Sequence, residues 1–194
     1  MAVNEIRVER KTFSVQEYEQ MISARVLSED ERLELIEGEI IKMSPIGSVH
    51  VFVVNRLNGL LAAQVQNQAI VSVQNPIRFT RSEPQPDIAV LSLAAGLHPQ
   101  VLPDADEVLL LIEVADTSAK LDQTVKIPLY GREGIGECWL VNVIDGVVEV
   151  YRGPGAGGYQ SKETFGSGDI LIPVGLPNLR LAVDDILGAL PLGH

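Results

Sequence analysis

Glu107-Val-Leu-Leu-Leu-Ile-Glu-Val114 decides the fold. Val108 to Ile112 are five consecutive apolar residues, without the polar alternation of a half-exposed strand. That pattern predicts a strand buried on both faces, as at the centre of an α/β sheet. Glu113, directly after the run, is a charge in a place where charges need partners. Downstream the chain turns at Asp116-Thr-Ser118, reads as a helix to about Glu133 and stops at Gly134. Cys138-Trp-Leu-Val-Asn-Val143 is then a second apolar strand. Strand, helix, strand implies a crossover and neighbouring parallel strands.

Working upstream, Phe13 to Met21 reads as a helix capped by Ser14, with Glu17 at the capping-box spacing. Arg32 to Met43 reads as a strand and hairpin turning at Gly38. His50 opens a helix whose Val51, Val54, Leu57, Leu61 and Val65 recur at three- and four-residue steps. Strand periodicity follows at Ile70-Val-Ser-Val73, Asn75-Pro-Ile-Arg-Phe79 and Asp87-Ile-Ala-Val-Leu91. Beyond the second apolar strand, Ile144-Asp-Gly146 signals a hairpin. Gly153-Pro-Gly-Ala-Gly-Gly158 reads as a loop before a strand from Tyr159 to Phe165, an antiparallel addition. The tail predicts a last strand around Leu179 and a short helix from Asp184.

With 194 residues and 46% hydrophobic content, one core is expected, and residues 1–194 are read as one domain. Nothing in the composition suggests a collagenous, coiled-coil or disordered chain. No stretch of about 18 apolar residues occurs, and the N-terminus has no apolar leader, so the expectation is a soluble, cytoplasmic protein without a membrane span. The lone Cys138 cannot staple the fold and reads as a buried thiol. A net charge of −11 argues against coating nucleic acid through a broad basic surface. A site that holds Mg²⁺ must itself be rich in carboxylates, so the global charge does not decide the matter.

Asp87 begins one apolar strand and Glu113 ends another, 26 residues on, a spacing that fits adjacent strands. Two carboxylates meeting at sheet ends repel unless a cation neutralises them, and hard oxygen ligands suit Mg²⁺ or Mn²⁺. Lys126, 13 residues after Glu113, could hold a nucleophilic water or stabilise developing charge. Each residue also has a plainer reading. Asp87 is a usual strand-entry residue after proline, and Lys126 with Asp122 is an ordinary helix pair at four-residue spacing. His50 could sit exposed at a helix end, and Glu34, Glu37 and Glu39 could form a solvated strand face. Tyr130 and Trp139 read as core.

Seven segments together resemble the restriction-endonuclease-like proteins of the PD-(D/E)XK nuclease superfamily. They are Glu34-Leu-Ile-Glu-Gly-Glu39, His50, Gln85-Pro-Asp-Ile-Ala-Val90, Leu111-Ile-Glu-Val-Ala-Asp-Thr-Ser118, Asp122 with Lys126, Tyr130, and Gly134-Ile-Gly-Glu-Cys-Trp-Leu-Val141. The resemblance spans most of the chain. It implies an α/β fold with a restriction-endonuclease-like core: a central mixed sheet flanked by helices, with antiparallel C-terminal additions. It also implies a metal held by Asp87 and Glu113, an assisting acid for which Glu34 is favoured, and a functional His50. The superfamily's lysine usually stands two residues after the second acid, where this chain has Ala115. Lys126 must then substitute from the helix, and Pro128 should kink or break that helix.

The expected activity is that of a metal-dependent nuclease using Mg²⁺, with Mn²⁺ as the alternative, on nucleic acid, with DNA favoured and RNA left open. A homodimer is expected, since cutting both strands calls for two symmetric sites. The competing expectation is a catalytically silent nucleic-acid-binding or assembly module on the same fold. A hydrolase of some other phosphoester is a third.

Overall fold

The apolar run forms strand β5 (Val108–Ala115) at the middle of a six-stranded sheet. A computed structural model describes residues 10–28, 31–43, 45–97, 101–116 and 122–188. The strands of the sheet, in order, are β3 (Ile70–Val73), β4 (Ile88–Leu91), β5, β6 (Glu137–Asn142), β7 (Val147–Gly155) and β8 (Gly158–Phe165). Only β5 and β6 are parallel, and every other neighbouring pair is antiparallel. The sheet is therefore mixed, with its one parallel pair where the crossover required it.

Alternation along β5 divides the molecule into two layers. Leu110, Ile112 and Val114 face helix α2 (Ser48–Val65), which contributes Val53, Val54, Leu57, Leu61 and Val65. Leu111 and Ala115 face the opposite layer, with helix α3 (Ile127–Arg132) and its Leu129 and Tyr130. Each such aliphatic side chain, fully buried, contributes about 1.5–3 kcal/mol. The stripe on α2 begins later than its spacing predicts, since Val51 is 44% exposed and Val53 is buried. Ser48 opens the helix, and His50 is its third residue.

The N-terminal segment folds as expected. Ser14 and Glu17 make both bonds of a capping box on α1 (Val15–Ser23). Strands β1 (Leu33–Ile36) and β2 (Glu39–Lys42) form a hairpin that turns through Glu37 and Gly38, both at positive φ. Leu35 packs under Val15 and Tyr18 of α1, while Ile36 faces the layer of α3. Two short strands, β9 (Ile170–Leu171) and β10 (Leu181–Ala182), and helix α4 (Val183–Leu187) end the described chain.

Three expectations are corrected. Asn75 to Phe79 is no strand; Ile77 N–H donates to Pro84 and Phe79 N–H to Ser82, closing the segment on itself. Its alternation reflects burial of Ile77 and Phe79 in the α3 layer, and Pro76 has no N–H to give a ladder. The glycine-rich stretch 153–158 is mostly strand, with Pro154 paired to Tyr159, and only residues 156–157 form the turn. Third, the helix expected after Asp116 is described only from Asp122; residues 117–121 lie outside the described residues. It opens with a π-helical turn, Asp122–Lys126, and Pro128 falls in the first turn of α3. Pro128, which has no N–H, thus falls just where the π-helical turn gives way to the α-helix, and not inside a continuous α-helical ladder. Among the described residues no helix is long and apolar enough to cross a membrane.

Candidate active site

The antiparallel register pairs Ile88 with Ile112, so Asp87 and Glu113 stand next to one another at one end of the sheet. Asp87 N–H points at Glu113 Oε2 across 3.4 Å, and Val114 N–H donates to Asp87 Oδ2 at 2.9 Å. Both acids are buried, 6% and 3% exposed. From α2, His50 Nε2 lies 2.8 Å from Asp87 Oδ1. The same oxygen accepts from Gln74 Nε2 at 3.1 Å, at the end of β3.

Lys126 comes from the π-helical turn, a local geometry common at functional sites. Its Nζ donates to Glu113 Oε1 at 3.3 Å and to Glu34 Oε1 at 3.0 Å. Glu34 is thus 1% exposed on the inner face of β1, while Glu37 and Glu39 are exposed. Gln85 N–H donates to Glu34 Oε1 at 2.7 Å, fixing the acid that fixes the lysine. Tyr130, one turn beyond Lys126, donates its hydroxyl to Glu113 Oε1 at 2.5 Å.

A cavity of about 80 Å³ opens against Glu34, His50, Asp87, Glu113, Asp122 and Lys126. All five residues singled out in the sequence therefore line one space, and the helix-borne lysine stands beside the strand-borne acids. Sequence reasoning missed Gln74, and it read Tyr130 as core. Tyr130 is fully buried, yet its hydroxyl is spent on Glu113. Four-residue spacing from Lys126 was the available signal for Tyr130; Gln74 is brought to Asp87 by the pairing of β3 with β4, which no pattern within one segment announces.

Charge is unevenly compensated here. Burial pushes the Glu113 carboxyl up to about 8; Lys126 pulls it down, and Asp87, Asp122 and Glu34 push it further up. Burial works against the Lys126 ammonium, but Glu113, Glu34 and Asp122 outweigh it and hold it above the usual lysine range. The two shifts favour opposite charge states, a neutral acid and a charged base. With acids in excess, Lys126 stays charged and Glu113 is the group short of positive charge. Asp87 is also opposed by burial, yet His50, the Val114 N–H and Gln74 bring it below the usual range. His50 rises in turn, because Asp87 outweighs the effect of burial.

Two adjacent buried carboxylates, one lacking a full counter-charge, are chemically suited to a hard divalent cation. Among the described residues no group of three or more His, Cys, Asp or Glu side chains is arranged around a single metal position. The fit therefore rests on the pair Asp87 and Glu113.

No curated protein matches the chain. Among solved structures, a protein of Anabaena variabilis described as a "putative nuclease belonging to DUF820" superposes with a TM-score of 0.70 at 21% identity. The match covers 90% of this chain and 97% of that one, and at this identity it shows the fold. The sequence pattern of the Uma2 family, described as "putative restriction endonuclease", matches residues 15–184. On that match, which takes in every element from α1 to the start of α4, the chain belongs to the Uma2 family, a restriction-endonuclease-like family.

Proposed function

We propose that the chain is a metal-dependent nuclease that hydrolyses phosphodiester bonds in DNA, with Asp87 and Glu113 holding Mg²⁺ or Mn²⁺. The observation that carries this reading is the buried pair itself, joined to a lysine that bridges Glu113 and Glu34. A bound divalent cation supplies Lewis acidity at a phosphoryl oxygen and makes water a better nucleophile. The remaining chemistry belongs to the chain. Lys126, kept charged by its acids, donates to a phosphate oxygen as negative charge develops there. Glu34 and the Gln85 N–H aim the ammonium. His50 holds Asp87 from the α2 side, and burial of the cluster lowers the local dielectric, so that each of these interactions counts for more.

In this reading residues 1–194 act as one domain and pair as a homodimer, which presents two symmetric sites to a duplex. The other reading is a catalytically silent nucleic-acid-binding or assembly module on the same fold, and the net charge of −11 argues against a broad basic surface under either reading. A cleavage assay on single- and double-stranded DNA and RNA, with Mg²⁺ and with Mn²⁺, separates them. Metal-dependent cleavage that disappears in Asp87→Asn is expected. Binding without cleavage under every condition would leave the module.

A further inference from the structure

Resting on the metal-dependent reading above, we propose that Gln74 and Tyr130 are positioning residues, each donating from a neutral side chain to one of the two metal-binding acids. Asp87 accepts from three donors, His50, Gln74 and the Val114 N–H. Glu113 likewise faces three: Lys126, Tyr130 and the Asp87 N–H. A carboxylate offers about four acceptor positions, so each acid is oriented by the protein and keeps room for one more partner. His50, when protonated, and Lys126 carry charge that repels an incoming cation. The Gln74 amide and the Tyr130 hydroxyl orient the same oxygens without that repulsion.

Both residues are placed at a cost that packing does not explain. Gln74 stands at φ +51°, a left-handed backbone in which a long side chain is uncommon. That conformation accompanies a double contact with Asp87: Gln74 N–H donates to the Asp87 carbonyl at 3.1 Å while its amide reaches the carboxylate. Tyr130 is completely buried, its ring edge-on to Phe79 at 6.0 Å between centroids. Phenylalanine would fill that space equally well, and a buried hydroxyl must find an acceptor. The acceptor it finds is Glu113.

Tyr130→Phe removes the hydroxyl and keeps the ring. Gln74→Asn shortens the donor by one methylene and installs a residue that tolerates the left-handed backbone. Mn²⁺ affinity is measured by calorimetry on the intact metal-free chain, beside its melting temperature without metal. Each variant is expected to bind Mn²⁺ about 10- to 100-fold more weakly, as for lost partners of metal ligands, beyond any small loss of metal-free melting from the missing hydrogen bond. In the cleavage assay, saturating Mn²⁺ should restore much of kcat. Lowered melting with unchanged affinity means a structural role and overturns the proposal for that residue. Should Tyr130→Phe fail to fold, Gln74→Asn decides, since its backbone is relieved. If the unsubstituted protein binds no Mn²⁺, the metal reading falls and this inference with it. Binding that is intact in both variants overturns the positioning role alone.

Discussion

Lys126 Nζ lies 3.0 Å from Glu34 Oε1, joining residues 92 apart in the chain, and both side chains are at most 5% exposed. The same ammonium faces Glu113, so one cation serves two buried acids. Removing it leaves both without a counter-charge. Lys126→Ala is expected to destabilise the metal-free protein by about 3–5 kcal/mol, the usual cost of breaking a buried ion pair from one side. Cleavage should fall by about 10²–10³-fold, as for a lost electrostatic stabiliser. Urea unfolding and a cleavage assay below the melting temperature check the two effects separately. Full activity in Lys126→Ala would remove the lysine from the proposed chemistry.

Gly131 sets how closely α3 approaches the β7–β8 hairpin. A Cβ at this position would lie 2.5 Å from the Gly158 carbonyl carbon and 2.7 Å from Tyr159 N, where backbone has to move. Gly131→Ala is therefore expected to cost about 1–3 kcal/mol, the range for overpacking, even though alanine is the better helix former. Because α3 continues directly from the turn that carries Lys126, cleavage should also weaken. Unchanged melting would mean that the hairpin yields.

The parts that were legible from sequence depend on patterns internal to one segment. Five apolar residues placed β5 at the centre, and the following helix and strand fixed a parallel neighbour. Asp87 and Glu113 were found because each interrupts an apolar strand at its end. The failures were positions where the tertiary partner decides. Asn75 to Phe79 alternates because two side chains plug the α3 layer, which a one-segment reading cannot distinguish from a strand. Glu34 was no failure, since the resemblance favours it, but its charge alternation with Glu37 and Glu39 does not single it out; the lysine across the cavity does. Pro128 was an obstacle only to a continuous α-helix; the π-helical turn before it removes the conflict.

Glu83 provides a pH test of the fold, away from the cavity. It is 6% exposed, and its Oε2 is buried with no hydrogen-bond partner. Burial pushes its carboxyl up to about 7, Glu19 pushes it further and Arg78 draws it back. Its folded value lies above its ordinary value of 4.5. The stability it contributes is thus complete below about 4.5 and is lost as pH rises through about 7. Glu83→Gln is expected to melt like the unsubstituted protein at pH 4 and higher than it at pH 8, with cleavage unaffected. A difference that is constant with pH would mean that this carboxyl does not titrate with folding.

The two acids of the site should respond in opposite ways to amide substitution. Glu113, pushed up to about 8 and short of positive charge, weakens the metal-free fold increasingly as pH rises from about 4.5 through 8. Glu113→Gln should relieve that, so its metal-free melting should equal or exceed that of the unsubstituted protein, with the gap widening across this window. Asp87 is held below the usual range by His50, Gln74 and the Val114 N–H, so its charged form supports the fold. Asp87→Asn should therefore melt lower above pH 4, most visibly while His50 is protonated. Metal reverses the comparison. A ligand at 100 times its Kd stabilises a fold by about 2.7 kcal/mol, and both variants should lose that increment when Mn²⁺ is added. Melting curves with and without Mn²⁺ at pH 5, 7 and 8.5 test all of this. If Mn²⁺ raises the melting of Glu113→Gln as much as that of the unsubstituted chain, Glu113 does not hold the cation. The site would then have to be rebuilt around Asp87 and the remaining acids of the cavity.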